Sequence, residues 1–106
     1  MYVHDIQSVE QLQYLFDNAV NQLIIMDMYG TWCPPCKALS PVFERLAQKH
    51  TGALFIKVDV DLFESVATQF KVTSMPTIVF VKNFVEVDRV VGANIQKIEE
   101  LINKHV

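Results

Sequence analysis

Cys33 and Cys36 are the two cysteines of the chain. They stand in Trp32-Cys33-Pro34-Pro35-Cys36-Lys37, which also holds its only tryptophan and two of its four prolines. If Cys33 caps a helix that begins at Pro34, both prolines occupy positions whose amides have no intrahelical partner, and their fixed φ suits a helix start. Cys36 then lies one turn on, on the same face as Cys33. Cα atoms about 5–6 Å apart can be bridged with little backbone movement. The positive end of the helix dipole favours a thiolate at Cys33, and Cys36, one turn inside, is expected to be shielded. The pattern points to thiol–disulfide exchange, with Cys33 as the attacking and Cys36 as the resolving thiol.

Other uses of the pair are weaker. A bridge across so short a loop constrains the unfolded chain little. A zinc site needs four ligands, and His4, His50 and His105 are scattered with no second pair at finger spacing. Haem attachment needs His after the second cysteine, where Lys37 stands. Two buried core cysteines are the remaining alternative.

The elements on either side are those that would hold a reactive loop rigid. Residues 23–29 are apolar except for Asp27, as in a central strand covered on both faces. After the motif, Ala38, Leu39, Val42, Phe43, Leu46 and Ala47 recur at helical spacing. Pro41 predicts a kink in that helix, and Gly52 a left-handed cap at its end. Before the central strand, residues 3–6 read as a strand. Ser8 with Gln11 forms a capping box for a helix with Val9, Leu12, Leu15, Phe16 and Ala19 inside, ending near residue 20. After it come a strand over residues 53–60, an Asp61/Glu64 cap with a short helix, strands over 77–81 and 85–91, and an Asn94-capped helix burying Ile95, Ile98, Leu101 and Ile102. The hairpin turn Asn83-Phe84 is unusual. Phe at positive φ costs about 1–2 kcal/mol, which predicts either another turn type or a strained one with Phe84 exposed. The order is βαβαβαββα, an α/β fold with helices on both faces of a five-stranded mixed sheet. Helical crossovers imply parallel pairing, with the last hairpin adding an antiparallel edge. The Cys motif falls beyond the carboxyl end of the second strand, where such sheets carry their sites.

The chain of 106 residues is long enough for one domain with a real core, and 51% hydrophobic residues argue against disorder. No apolar run reaches membrane-spanning length. Residues 1–5 lack the pattern of a signal peptide. A net charge of −3 without a basic cluster makes nucleic acid an improbable partner. Two cysteines without an export signal suggest a reducing, cytoplasmic setting, and a monomer is expected.

Three residues near the motif read two ways on pattern alone. Asp27 is either a fully hydrogen-bonded structural carboxylate or a buried group of raised pKa able to take the proton from Cys36. Lys57 either snorkels to water or pairs with Asp27. Pro76 is, on frequency, a trans proline opening a strand. Trp32 is expected at the surface, because its neighbours leave the strand pattern. Pro34 and Pro35 leave Cys36 as the nearest backbone amide for the Cys33 thiolate, and so tune the loop.

The stretch Trp32-Cys33-Pro34-Pro35-Cys36-Lys37, preceded by Ile25-Met26-Asp27, resembles the thioredoxin family, and the likeness covers essentially the whole chain. Lys57, Met75-Pro76 and Gly92 fall where thioredoxins carry a lysine, a cis proline and a glycine. The departure is Pro34, where thioredoxins usually have Gly; Cys-Pro-Pro-Cys is similar to tryparedoxins, whose chains are longer. The resemblance implies the thioredoxin fold, with Asp27 as a proton acceptor and donor modulated by Lys57. It implies a cis Pro76 against the disulfide that crowds out metal, and a Met75 backbone edge on which a target peptide adds as a strand. Trp32, Met75, Pro76, Gly92 and Ala93 would form an apolar contact patch around Cys33. The implied activity is reduction of disulfide-containing target proteins through a redox-active Cys33–Cys36 disulfide. No bound cofactor is involved, and the protein is re-reduced by a thioredoxin-reductase-type donor. A tryparedoxin-like variant, an oxidase or isomerase of the same fold, and a non-catalytic binding subunit are the alternatives.

Overall fold

The computed structural model describes residues 2–106; Met1, part of the N-terminal stretch weighed above, lies outside them. In chain order the elements are β1 (Val3–Asp5), α1 (Val9–Asp17), β2 (Leu23–Tyr29), α2 (Pro34–Lys49), β3 (Leu54–Asp59), α3 (Glu64–Gln69), β4 (Thr77–Lys82), β5 (Val85–Val91) and α4 (Ile95–His105). The strands form one sheet in the order β1-β3-β2-β4-β5. β2 pairs parallel with β3, setting Asp27 beside Lys57, and antiparallel with β4, setting Asp27 beside Ile78.

The expected strand directions need one correction. β4, not the edge strand β5, runs against the others, since β5 is antiparallel to β4. The reason is length. The six residues of α3 extend only about 9 Å and cannot carry the chain back along a strand of about 20 Å. β4 therefore starts at the end of the sheet where β2 and β3 finish. That brings its first residues to the Cys loop.

Alternation along each strand divides the core in two. Leu23 and Ile25 of β2, Phe55 of β3, and Ile78 and Phe80 of β4 pack under Leu39, Phe43, Leu46 and Ala47 of α2 and Ile98, Leu101 and Ile102 of α4. Ile24, Met26 and Met28, with Ile56, Val58, Val79 and Val81, pack on Leu12 and Ala19 beside α1 and Val66 of α3. By the same alternation Asp27 and Lys57 face α2. The apolar helical stripes are narrower than expected: Val9, Ala38 and Ile95 are exposed.

Chain ends of the helices show where local signals compete. Ser8 caps α1 through Gln11 N–H at 3.0 Å, but Gln11 Oε1 reaches back to Gln7 N–H rather than to Ser8. Asn94 caps α4 through Lys97 N–H at 3.1 Å. The expected Asp61 cap is replaced. Asp59 Oδ1 accepts from Asp61 N–H and Leu62 N–H ahead of α3, whose N-cap Phe63 has no side-chain bond. α2 runs through Pro41 as one helix and ends at Lys49. Gly52 is not in the left-handed region; the exit closes instead through His50 N–H to the Leu46 carbonyl and Ala53 N–H to the His50 carbonyl.

The β4–β5 hairpin keeps the strained turn. Asn83 (φ +51) and Phe84 (φ +66) are both left-handed, as in the type I′ turn that matches strand twist. Phe84 is 64% exposed, with its ring 6.2 Å from that of Phe16. Asn83 compensates: its Oδ1 accepts from Asn21 N–H at 2.8 Å and its Nδ2 donates to Asn21 Oδ1 at 3.0 Å. Asn83→Ala loses both bonds and a residue tolerant of this φ. It is expected to lower stability by about 2 kcal/mol, read as a shifted denaturant midpoint at constant slope.

Candidate active site

Cys33 is the N-cap of α2, Pro34 and Pro35 are its first two residues, and Cys33 and Cys36 form a disulfide with Cα atoms 5.2 Å apart. Cys33 Sγ accepts from Cys36 N–H at 3.2 Å. Neither proline has an amide to offer, so the helix presents its first N–H to sulfur at Cys36. The expected contrast in exposure does not hold: Cys33 is 2% and Cys36 3% exposed in this oxidised form. What separates them is position. Cys33 Sγ lies at the helix end and 3.6 Å from the Met75 carbonyl oxygen. Cys36 faces a cleft of about 270 Å³ lined by Tyr29, Gly30, Thr31, Lys37, Ser40 and Lys57.

Met75-Pro76 is a cis peptide, reversing the reading by frequency alone. Pro76 is buried and its carbonyl accepts from Gly92 N–H at 2.8 Å. Gly92 has φ +101, a conformation side chains rarely adopt, and a Cβ there would meet open space. β5 thus ends against the cis proline, with Gly92 half-buried and Ala93 exposed beside it.

Trp32 is 59% exposed, as its surroundings predicted. Its Nε1–H donates to Asp61 Oδ2 at 2.8 Å, so the acid expected to cap α3 orients the indole instead. The ring lies on Gly30, where a Cβ would come within 2.7 Å of it. Gly30→Ala is therefore expected to dislodge the indole from Asp61. Because Trp32 is the only tryptophan, emission reports this directly: a red shift is expected, and an unchanged spectrum would mean that the ring stays in place.

Asp27 is fully buried, and neither carboxylate oxygen has a hydrogen-bond partner. Burial raises its pKa to about 7, against a lowering by the Lys57 charge; Asp5 adds a further rise. Lys57 makes no ion-pair contact with Asp27. Its Nζ donates to Ser40 Oγ at 3.1 Å and stands 4.4 Å over the Tyr29 ring. It lies in register between Asp5 of β1 and Asp27 of β2 and acts on the buried acid across space. The direct pair fails because α2 offers Lys57 a hydroxyl at the mouth of the cleft, where an ammonium keeps part of its hydration. Sequence reasoning did not single out Ser40 or Tyr29, and gave Asp61 only as a helix cap. Only the spacing of Ser40 from Cys36, one turn on along the helix, held a signal for any of them.

A two-residue disulfide at a helix start, beside a buried acid of raised pKa and an exposed backbone segment, suits exchange with another disulfide. Among the described residues no three His, Cys, Asp or Glu side chains cluster as a metal site. Among the same residues no helix is long and apolar enough to cross a membrane. The thioredoxin family profile matches residues 7–104. The chain belongs to the thioredoxin family. It is 47% identical to thioredoxin H5 of Arabidopsis thaliana over 88 residues, 83% of this chain and 75% of the relative. The crystal structure of thioredoxin NaTrxh from Nicotiana alata superposes with a TM-score of 0.95 at 40% identity, over 98% of this chain and 92% of that one. That of the reduced Schistosoma mansoni thioredoxin pre-protein gives 0.95 at 37% identity, with both chains covered in full. With its Cys33–Cys36 disulfide, this member of the thioredoxin family is a protein disulfide oxidoreductase of thioredoxin fold.

Proposed function

We propose that the protein works as a single-domain, monomeric reductase of protein disulfides in a reducing compartment, the cytoplasm. The observation that carries this reading is the Cys33–Cys36 pair at the start of α2 with the Met75 carbonyl 3.6 Å from Cys33 Sγ. Chemistry and docking edge lie side by side there. A target disulfide meets the patch of Trp32, Met75, Pro76, Gly92 and Ala93, its chain alongside Met75. The Cys33 thiolate attacks one target sulfur, forming a mixed disulfide and expelling the other sulfur as a thiolate, which takes a proton from water. Asp27 accepts the Cys36 proton. Cys36 then attacks Cys33 Sγ, closes the internal disulfide and expels the second target sulfur. Two electrons pass to the target, and a thioredoxin-reductase-type donor returns them. No cofactor, metal or nucleic acid enters these steps.

The test is insulin reduction by dithiothreitol, followed as turbidity, with and without the reduced protein. Acceleration supports the reading. A folded, reduced protein that gives none would favour a binding subunit. A strongly oxidising potential for the pair would favour an oxidase or isomerase.

A further inference from the structure

Arg89 lies on β5, outside the cysteine site, yet its guanidinium makes four hydrogen bonds. Nε and Nη2 donate to Glu86 Oε2 at 2.8 Å and Oε1 at 2.9 Å, a bidentate pair. The same Nη2 donates to the Phe70 carbonyl, and Nη1 to the Lys71 carbonyl at 3.4 Å. These carbonyls lie just past the end of α3, where a fixed cation offsets the negative end of the helix. Lys71 is there held at φ +55, a conformation costly for a residue with a side chain.

The segment that follows, residues 72–75, leads to the Met75 carbonyl beside Cys33 Sγ. Its far end is pinned by the residue that follows the same strand, through Gly92 N–H on the Pro76 carbonyl at 2.8 Å. Within it Thr73 and Ser74 are exposed, and the Ser74 carbonyl is turned inward to the Thr77 hydroxyl at 2.6 Å. β5 thus grips both ends of a stretch whose middle faces solvent next to the disulfide. One grip is backbone; the other is a side chain.

We propose that Arg89 is a positioning residue for target binding: by fastening the Phe70 and Lys71 carbonyls to β5, it holds residues 72–75 in the line along which a target segment lies. This rests on the reductase reading. It separates two properties of the site. The order of the 72–75 edge governs affinity for a protein target, because an edge that must be ordered on binding loses affinity. The exchange itself depends on the α2 terminus and Asp27, which Arg89 does not touch.

The experiment compares wild type, Arg89→Met and Arg89→Lys on two disulfides. Insulin can lie along the segment; 5,5′-dithiobis(2-nitrobenzoate) is too small to do so. Arg89→Met keeps an apolar stem and loses every donor. Its KM for insulin is expected to rise about three- to tenfold, the scale of one ordinary hydrogen bond, with kcat and the rate on the small disulfide unchanged. Arg89→Lys, which keeps the charge and one set of donors, is expected to recover at least half of the rise. A folded Arg89→Met with the wild-type KM overturns the proposal, and so does an equal loss on both disulfides. Should circular dichroism show Arg89→Met unfolded, Glu86→Gln takes its place, weakening the pair that aims the guanidinium; its KM is expected to rise in the same direction, and an unchanged value overturns the proposal. A wild type inert on both disulfides removes the reductase reading, and this proposal with it.

Discussion

A Cys36→Ser variant, mixed with a disulfide-bonded target, is expected to accumulate a mixed disulfide on Cys33, whereas Cys33→Ser is expected to form none and to lose all acceleration of insulin reduction. Burial does not carry this order of attack, since both sulfurs are hidden. Three other observations do. Cys33 is the residue at the helix end, its sulfur accepts the Cys36 amide, and it lies against the Met75 carbonyl. The amide and the dipole stabilise negative charge at Cys33. In wild type the intermediate is short-lived because Cys36 is tethered one turn away, with Cα atoms 5.2 Å apart, and intramolecular attack of this kind has effective concentrations far above any free thiol. A serine hydroxyl at Cys36 is not a competent nucleophile toward sulfur, so the adduct persists. Non-reducing electrophoresis and intact mass read the outcome. An adduct trapped instead in Cys33→Ser would reverse the assignment.

Asp27→Asn is expected to have two opposite effects, a slower resolving step and a more stable protein at neutral pH. The carboxyl has a folded pKa of about 7 against an ordinary value of 3.8. Between those values the native state binds a proton that the unfolded state does not, so stability falls as pH rises through this window. Below about pH 4 the acid is neutral in both states and costs nothing. Above about pH 7 the buried group must be charged in the native state, at a cost of about 4 kcal/mol. Asparagine never charges, so the variant should gain up to that amount above pH 7 and show a flat stability profile across the window. Denaturant midpoints between pH 4 and 8 measure this. The kinetic cost comes from losing the base proposed to take the Cys36 proton. The wild-type resolving step should accelerate as pH rises through about 7, and the variant should be slower by about tenfold or more and lack that inflection. If wild type and variant titrate alike in both measurements, Asp27 is not the proton acceptor.

Much of this was legible in the chain because the relevant signals are local. The Pro-Pro pair fixes where α2 begins, Asn94 where α4 begins, and the continuous apolar run over residues 23–29 announces a strand covered on two faces with a lone acid in it. The misreadings share a physical cause: the deciding partner is distant in sequence or absent from the pattern. Asp61 is a plausible cap until Trp32, 29 residues earlier, claims its carboxylate, and Asp59 takes over the turn. Lys57 pairs with a serine rather than with Asp27 because α2 crosses above β3, which strand alternation does not reveal. The direction of β4 depends on how far α3 travels, a matter of six residues. The cis state of Met75-Pro76 followed from family likeness alone, since no property of the dipeptide announces it.

The edges of the sheet carry a further consequence. β1 is three residues long. β5 is interrupted where Phe80 and Val81 face Asp88 and Glu86, leaving Val87 as an extra residue, and its outer half carries Glu86, Asp88 and Arg89. A short edge on one side and a bulged, charged one on the other both resist recruitment of further strands. In the proposed reading, a protein that receives extended segments of other chains is thus guarded against becoming a template for their aggregation. The proposed docking place is the end of the sheet beside Met75, away from both flanks.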